Sequence, residues 1–350
     1  MTGSDALRRV ARWVPGAALR PFGRPVAVFF HGVAEKISDP RIEFNHHSRE
    51  TFRAIATRLK QRFDVLPLAA LDDVLARPER HTRAVFLMAD DGYANTLEVA
   101  AGILEELRLP WTLFVSTRHI ETGEWNPLIL ARLFLYHAPN GRYEIPHLPQ
   151  PLVLAAAATR AAVVPRTLES LKRLPAGPAR EALAAMCDAF PEGRLDELRR
   201  RFSSERFLTW SEVETLHRRG VAIGAHADWH WPMNGWQDEH WVRDQAFRAR
   251  ERIMARIGVC SAFAYPFGNV GDIAPRAWQA VRDAGYGHAF TTLSGTLRTD
   301  LNRWLLPRYA LRPEEPAIDA LLPMLRLADP RVARLTRRRQ SRPEPCSVPQ

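Results

Sequence analysis

The chain has 350 residues, 46% of them apolar and 25% charged, with a net charge of +10. That is the composition of a globular protein able to bury a large core, as one αβ domain or two smaller ones. No apolar run approaches the roughly 18 residues that cross a bilayer, and no apolar signal region with a cleavage site opens the chain, so a cytoplasmic location is expected.

Residues 1–24 carry five arginines against Asp5, and residues 331–350 carry six against Glu344, which leaves only +1 for everything between. A basic nucleic-acid-binding face on the body is therefore not indicated, and no nucleic-acid partner is expected. In the first segment Leu7, Val10, Ala11 and Val14 share a helical face beside Arg8, Arg9 and Arg12. That pattern suits a short helix on an anionic membrane surface, so peripheral membrane contact through the basic termini is one reading and a solvated tail the other.

Strand-length apolar runs follow at 26–30, 84–89, 111–115, 221–225, 261–265 and 287–291, with helical periodicity at 49–62, 93–108, 236–257 and 273–284. Alternating strands and helices predict an α/β fold with a parallel sheet or a βα barrel. The pattern changes over 120–205, where 136–151 is rich in Pro, His and Asn and 154–202 is rich in Ala, Arg and Leu. This stretch is read as a mainly helical insertion in a body spanning 25–315, and 330–350 as a disordered tail. Cys187, Cys260 and Cys346 have neither metal-type nor paired spacing, which suits a reducing compartment.

The run Val85 to Ala89 ends in Asp90-Asp91-Gly92-Tyr93. Two crowded carboxylates at a strand end are costly unless a cation lies between them, although a solvated turn would read the same. After the run at 221–225 come His226 and His230, four apart. With Asp91 they supply two nitrogens and one oxygen, the donor set of an open tetrahedral site that suits catalytic zinc. A third segment, Phe263-Ala264-Tyr265-Pro266-Phe267-Gly268, ends another strand with a turn. All three lie at C-terminal strand ends, where parallel αβ folds assemble their sites.

In these segments the chain resembles the polysaccharide deacetylases, carbohydrate esterase family 4 with the NodB-homology domain, and most closely the exopolysaccharide-type members. Weaker matches are Pro110 to Val115, Thr209-Trp210, Ala284-Gly285-Tyr286 and Leu306-Pro307-Arg308, and together they cover about 25–312. The resemblance implies a distorted (β/α)7 barrel and a metal-dependent hydrolase removing acetyl from an N-acetylated glycan or glycolipid. Carried over, Asp91, His226 and His230 hold a divalent metal, Asp90 is the general base, and the Phe267 N–H stabilises the oxyanion. Tyr265 and Tyr93 belong to the oxyanion or substrate side, and His31, ending the first strand, is the proposed general acid. The metal would lower the pKa of water from 15.7 toward roughly 7.

Some positions depart from the family pattern. Met88-Ala89 replace Thr-Phe, Ala227 replaces a Ser or Thr, and Ala264 replaces an arginine that holds the base. Loss of that hydroxyl and that arginine would loosen the ligand loop and shift Asp90. A glycan binder without turnover and an amidase of small non-sugar substrates stay open beside the leading reading. Asp228 is expected to be solvated, His46-His47 to lie at the surface, and most of Trp210, Trp229, Trp231 and Trp236 to be core, with a sugar-stacking cleft as the alternative.

Overall fold

Near-continuous apolar strands must be covered on both faces, as in a parallel sheet whose crossovers are helices. The computed structural model, which describes residues 23–313 and two short paired strands, Leu19–Pro21 and Leu325–Leu327, has this arrangement. The predicted helical face at residues 7–14, the tail from 330 and Cys346 lie outside the described residues.

Seven parallel strands form the frame: β1 (Val26–Phe30), β2 (Ala84–Ala89), β3 (Thr112–Val115), β4 (Ala222–Ala225), β5 (Ala262–Ala264), β6 (His288–Phe290) and β7 (Tyr309–Ala310). Their order is β6-β5-β4-β3-β2-β1-β7. Leu306 bridges to Phe290 of β6, while Tyr309 and Ala310 pair with Val28 and Phe29 of β1. Residues 306–310 thus join the two edges and close a distorted (β/α)7 barrel. Each predicted strand appears within one residue of its expected bounds.

Alternation divides every strand between two cores. Val26, Val28, Phe30, Val85, Leu87, Ala89, Phe263 and Tyr265 pack outward with the helices. Ala27, Phe29, Phe86, Met88, Phe114, Ala262, Ala264 and Phe290 form the inward cluster.

The helices follow their local signals. α1 (Arg49–Arg62) starts at Ser48, whose side chain accepts from the Thr51 N–H, and α7 (Glu239–Ile257) runs from the Asp238 cap to a left-handed Gly258. The helix predicted at 93–108 begins instead with a π-helical turn at Thr96–Ala100 before α2 (Ala101–Glu106), the kind of irregularity found beside functional sites.

Within 120–205 lie α3 (Pro127–His137), α4 (Ala157–Lys172), α5 (Ala176–Asp188) and α6 (Arg194–Arg201), with a hairpin of Gly141–Tyr143 and Leu152–Leu154. They share a core of their own, including Phe134, Leu171, Met186 and Phe202, and Trp229 and Trp231 from the His226–His230 loop insert into it.

Arg160 is buried in this segment and donates to the carbonyls of Leu135 (2.7 Å), Ala138 (2.7 Å) and Ala155 (3.0 Å) and to Asn140 Oδ1 (2.9 Å). It terminates α3 by satisfying carbonyls that have no helical partner. Arg160→Met keeps the apolar stem but strands those acceptors, so urea unfolding is expected to show a loss of about 2–4 kcal/mol.

Candidate metal centre and active site

Three loops at the C-terminal ends of β2, β4 and β5 meet, and each holds a non-glycine residue in the left-handed region: Asp91 (φ 73°), Ala227 (φ 62°) and Phe267 (φ 61°). Such conformations cost of order 1–3 kcal/mol and persist where surrounding structure enforces them. Here the enforcement is visible. Ser116 N donates to the Asp91 carbonyl (3.2 Å), His226 N to Val115 O (2.8 Å), and Thr117 N to Ala227 O (3.2 Å).

Asp91, His226 and His230 are buried together, with one ligand atom from each inside 4.8 Å of the others. Asp91 Oδ1 lies 3.2 Å from His226 Nε2 and 3.0 Å from His230 Nε2, yet makes no hydrogen bond. Two ligands of one tetrahedral zinc lie about 3.3 Å apart, so an orphaned oxygen facing two imidazoles at these distances fits a shared ion. His226 Nδ1 is 2.7 Å from the Ala264 carbonyl, which places its proton there and leaves Nε2 free to ligate. His230 Nδ1 faces the Asn126 amide at 3.3 Å. Burial works against a charge on His226, but Asp90 and Asp91 outweigh it and raise its pKa.

Asp90 meets a different partner. Arg308 Nη1 and Nη2 each lie 2.8 Å from one of its carboxylate oxygens, a bidentate pair sealed from water. The guanidinium also donates to Thr291 O at 3.0 Å and stacks 4.3 Å from the Phe29 ring. Burial alone would push the Asp90 carboxyl up; Arg308, and after it His226, hold it below its ordinary value. His31 ends β1, partly exposed, and feels the charges of both acids and both imidazoles; burial outweighs the carboxylates and lowers its pKa. The Phe267 N–H has no hydrogen-bond partner among the described residues, while its carbonyl accepts from Thr292 Oγ1 at 2.7 Å.

The profile of the polysaccharide deacetylases matches residues 77–289, more than half of the chain and the stretch that carries all three loops. The chain belongs to the polysaccharide deacetylase family. It is accordingly a hydrolase of carbon–nitrogen amide bonds. No curated protein matches it by sequence. Among solved structures it is similar to the Streptococcus pyogenes deacetylase PplD in complex with acetate, at 14% identity over 87% of this chain and 99% of that one, with a TM-score of 0.55. IcaB from Ammonifex degensii is similar at 13% identity over 87% and 98%, with a TM-score of 0.54. A de-N-acetylase from Aggregatibacter actinomycetemcomitans gives 16% identity over 83% and 96%, with a TM-score of 0.50. At these identities the likeness is one of fold.

Several sequence expectations for this deacetylase need correction. Tyr265 does not reach the site: it points outward with the helix-facing core, and its hydroxyl donates to Trp304 O at 3.0 Å. Tyr93 is buried against Phe207 and His46, beside Asp91 and not in an open cleft. His46 and His47 are buried, because residues 46–48 pair with Gly32–Ala34. Burial lowers their pKa values to about 3 and about 4.

Asp228 is likewise not solvated; it accepts from Thr117 Oγ1 at 2.7 Å and pairs with Arg252 at 3.0 Å. Those contacts, with Ser116 Oγ donating to His226 O (2.8 Å) and Trp229 N donating to Gln245 Oε1 (2.8 Å), brace the loop where Ala227 lacks a hydroxyl. Of the four tryptophans near the motifs, Trp210, Trp229 and Trp231 are core and Trp236 is exposed. The residue most clearly missed is Arg308, whose only sequence signal was the Leu306-Pro307-Arg308 match. It supplies the guanidinium that Ala264 lacks.

Replacing Arg308 with Gln leaves Asp90 buried and unpaired. Its pKa then rises, so the acidic limb of the pH–rate profile moves to higher pH and turnover at neutral pH falls. Urea unfolding at neutral pH is expected to show a loss of about 3–5 kcal/mol. Because a depressed carboxyl stabilises only above its unfolded pKa, variant and parent converge as pH falls through the carboxylate range.

Proposed function

We propose that this deacetylase removes acetyl from N-acetylated amino sugars of a polysaccharide or glycolipid, with a divalent cation, zinc on the chemistry of the donors, held by Asp91, His226 and His230. The observation that carries this reading is the division of two neighbouring acids: Asp91 faces two imidazoles with an oxygen left unpaired, while Asp90 is kept ionised by Arg308. A cation there supplies Lewis acidity, polarising the acetamide carbonyl and acidifying water.

The chain's own residues supply the rest. Asp90, ionised at neutral pH, takes the proton from the attacking water. The unpaired Phe267 N–H offers a donor to the oxyanion, a class of contact worth about 3–4 kcal/mol. His31, partly exposed beside both acids, is the group available to protonate the departing amine. Because burial lowers its pKa, the protonated form is lost at lower pH than for an ordinary histidine, which sets the falling basic limb of the profile.

The alternative of a glycan binder without turnover draws on Ala89 and Ala227. Ala89 points into the helix-facing core, and the loop around Ala227 is braced by Ser116, Thr117 and Gln245. The PplD structure was solved with acetate, the product expected here.

Purified protein is expected to release acetate from N-acetylated amino-sugar oligomers, to lose that activity with EDTA and to regain it with zinc. Asp90→Asn should lower kcat by about 10²–10⁴ with metal content unchanged. Undiminished acetate release by a His226→Ala, His230→Ala double variant would sink the proposal.

A further inference from the structure

We propose that Lys172, the last residue of α4 and so part of the helical segment outside the barrel, is a positioning residue that fixes the Phe267 loop. The inference rests on the oxyanion role given to Phe267 above. Lys172 touches both loops that follow β4 and β5. Its backbone carbonyl accepts from Asn234 Nδ2 at 3.2 Å, and two residues on, the Leu174 carbonyl accepts from Trp231 Nε1 (3.2 Å) and Gln237 Nε2 (3.1 Å). These contacts dock the end of α4 on the chain just after His230.

The side chain then reaches the other loop. Lys172 Nζ is 2.7 Å from Asp272 Oδ1 and 4.7 Å from the centroid of the Phe267 ring. On a second side of that ring lies His230, in edge contact at 4.8 Å between centroids. A cation over an aromatic face is attracted to it, more strongly where solvent is scarce, and the Lys172 side chain is only 19% exposed.

The loop needs such a hold. Phe267 adopts a left-handed conformation that disfavours a side chain, and Gly268, also left-handed, has no room for one: an added Cβ would lie 2.8 Å from Thr292 N. Thr292 fastens the loop from the barrel side, with Oγ1 donating to Phe267 O (2.7 Å) and its N–H to Gly268 O (3.0 Å). Lys172 adds a second hold from the helical segment, through the ring and through Asp272, two residues before Ala274, whose N–H donates to Met233 O at 2.7 Å. With carbonyl and ring both held, the Phe267 N–H has one direction in which to point.

The test compares Lys172→Met and Lys172→Arg with the full-length parent. Hydrogen exchange, which needs no activity, should show faster exchange over 266–273 in Lys172→Met, no change over 84–91, and near-parent exchange in Lys172→Arg. In the metal-loaded enzyme, Lys172→Met should lower kcat for acetate release by about tenfold, short of the 10²–10³ lost with a donor removed outright, while KM and bound metal stay unchanged. Lys172→Arg should recover most of it. Unchanged exchange over 266–273 overturns the inference whether or not the protein is active. So does a kcat equal to that of the parent, or a loss matched by loss of metal. A parent that releases no acetate overturns the proposed function instead and leaves the exchange result standing.

Discussion

Asp90 and Asp91 are adjacent, both sealed from water, and two carboxylates in that position repel one another through a poorly screening interior. The remainder of the site is arranged around the need to turn the two toward different partners. Asp90 turns to a guanidinium and Asp91 to two imidazoles. The separation between the two environments is set by one backbone step, the left-handed turn at Asp91. Without that turn strand alternation would send the two side chains to opposite faces of the sheet, and the site would hold only one of them.

The partner of Asp90 also explains why the barrel must close. Arg308 lies between Leu306, bridged to β6, and Tyr309, paired with β1, so the segment that joins the sheet's edges is the same one that delivers the guanidinium. Its charge is buried on the Phe29, Phe114 and Phe290 rings, members of the inward-facing cluster that also holds Ala264. An arginine at 264 and one at 308 would compete for that interior. The small residue at 264 is therefore consistent with the large one at 308.

What could be read from the sequence follows the range of the forces involved. β1, β2 and α1 were legible because their apolar runs, periodicity and caps are local, and the cluster of Asp91, His226 and His230 was legible because Asp91 and His226 each follow such a run, with His230 one short turn further on. Arg308 was not, since its pairing with Asp90 depends on ring closure across most of the chain. His46 and His47 read as surface residues because a three-residue strand pair leaves no periodicity to detect. The motif around Tyr265 points to the site, but the inward set at Ala262 and Ala264 puts its side chain on the opposite side of the strand. The grip of 120–205 on His230, through Trp229, Trp231 and Asn126, had no signal either, because those residues read as neighbours of a motif and not as anchors in a second core.

The same electrostatics constrain the chemistry. A carboxyl held below its ordinary range by a bidentate arginine is a poor base toward ordinary water, whose pKa is about 15.7, and proton transfer over such a gap is too uphill to be useful. In the proposed reaction Asp90 would become competent only when the acidity of its proton donor is raised by several units, which is what a cation held by Asp91, His226 and His230 would offer. The pair with Arg308 and the donor set around Asp91 are then two halves of one requirement. The first holds the Asp90 carboxyl below its ordinary range in a buried place that would otherwise raise it, and the second would bring a proton within its reach. A chain with the arginine but without the imidazoles would hold a well-fixed carboxylate with nothing to deprotonate. One with the imidazoles alone would leave Asp90 buried without its main partner and its pKa raised.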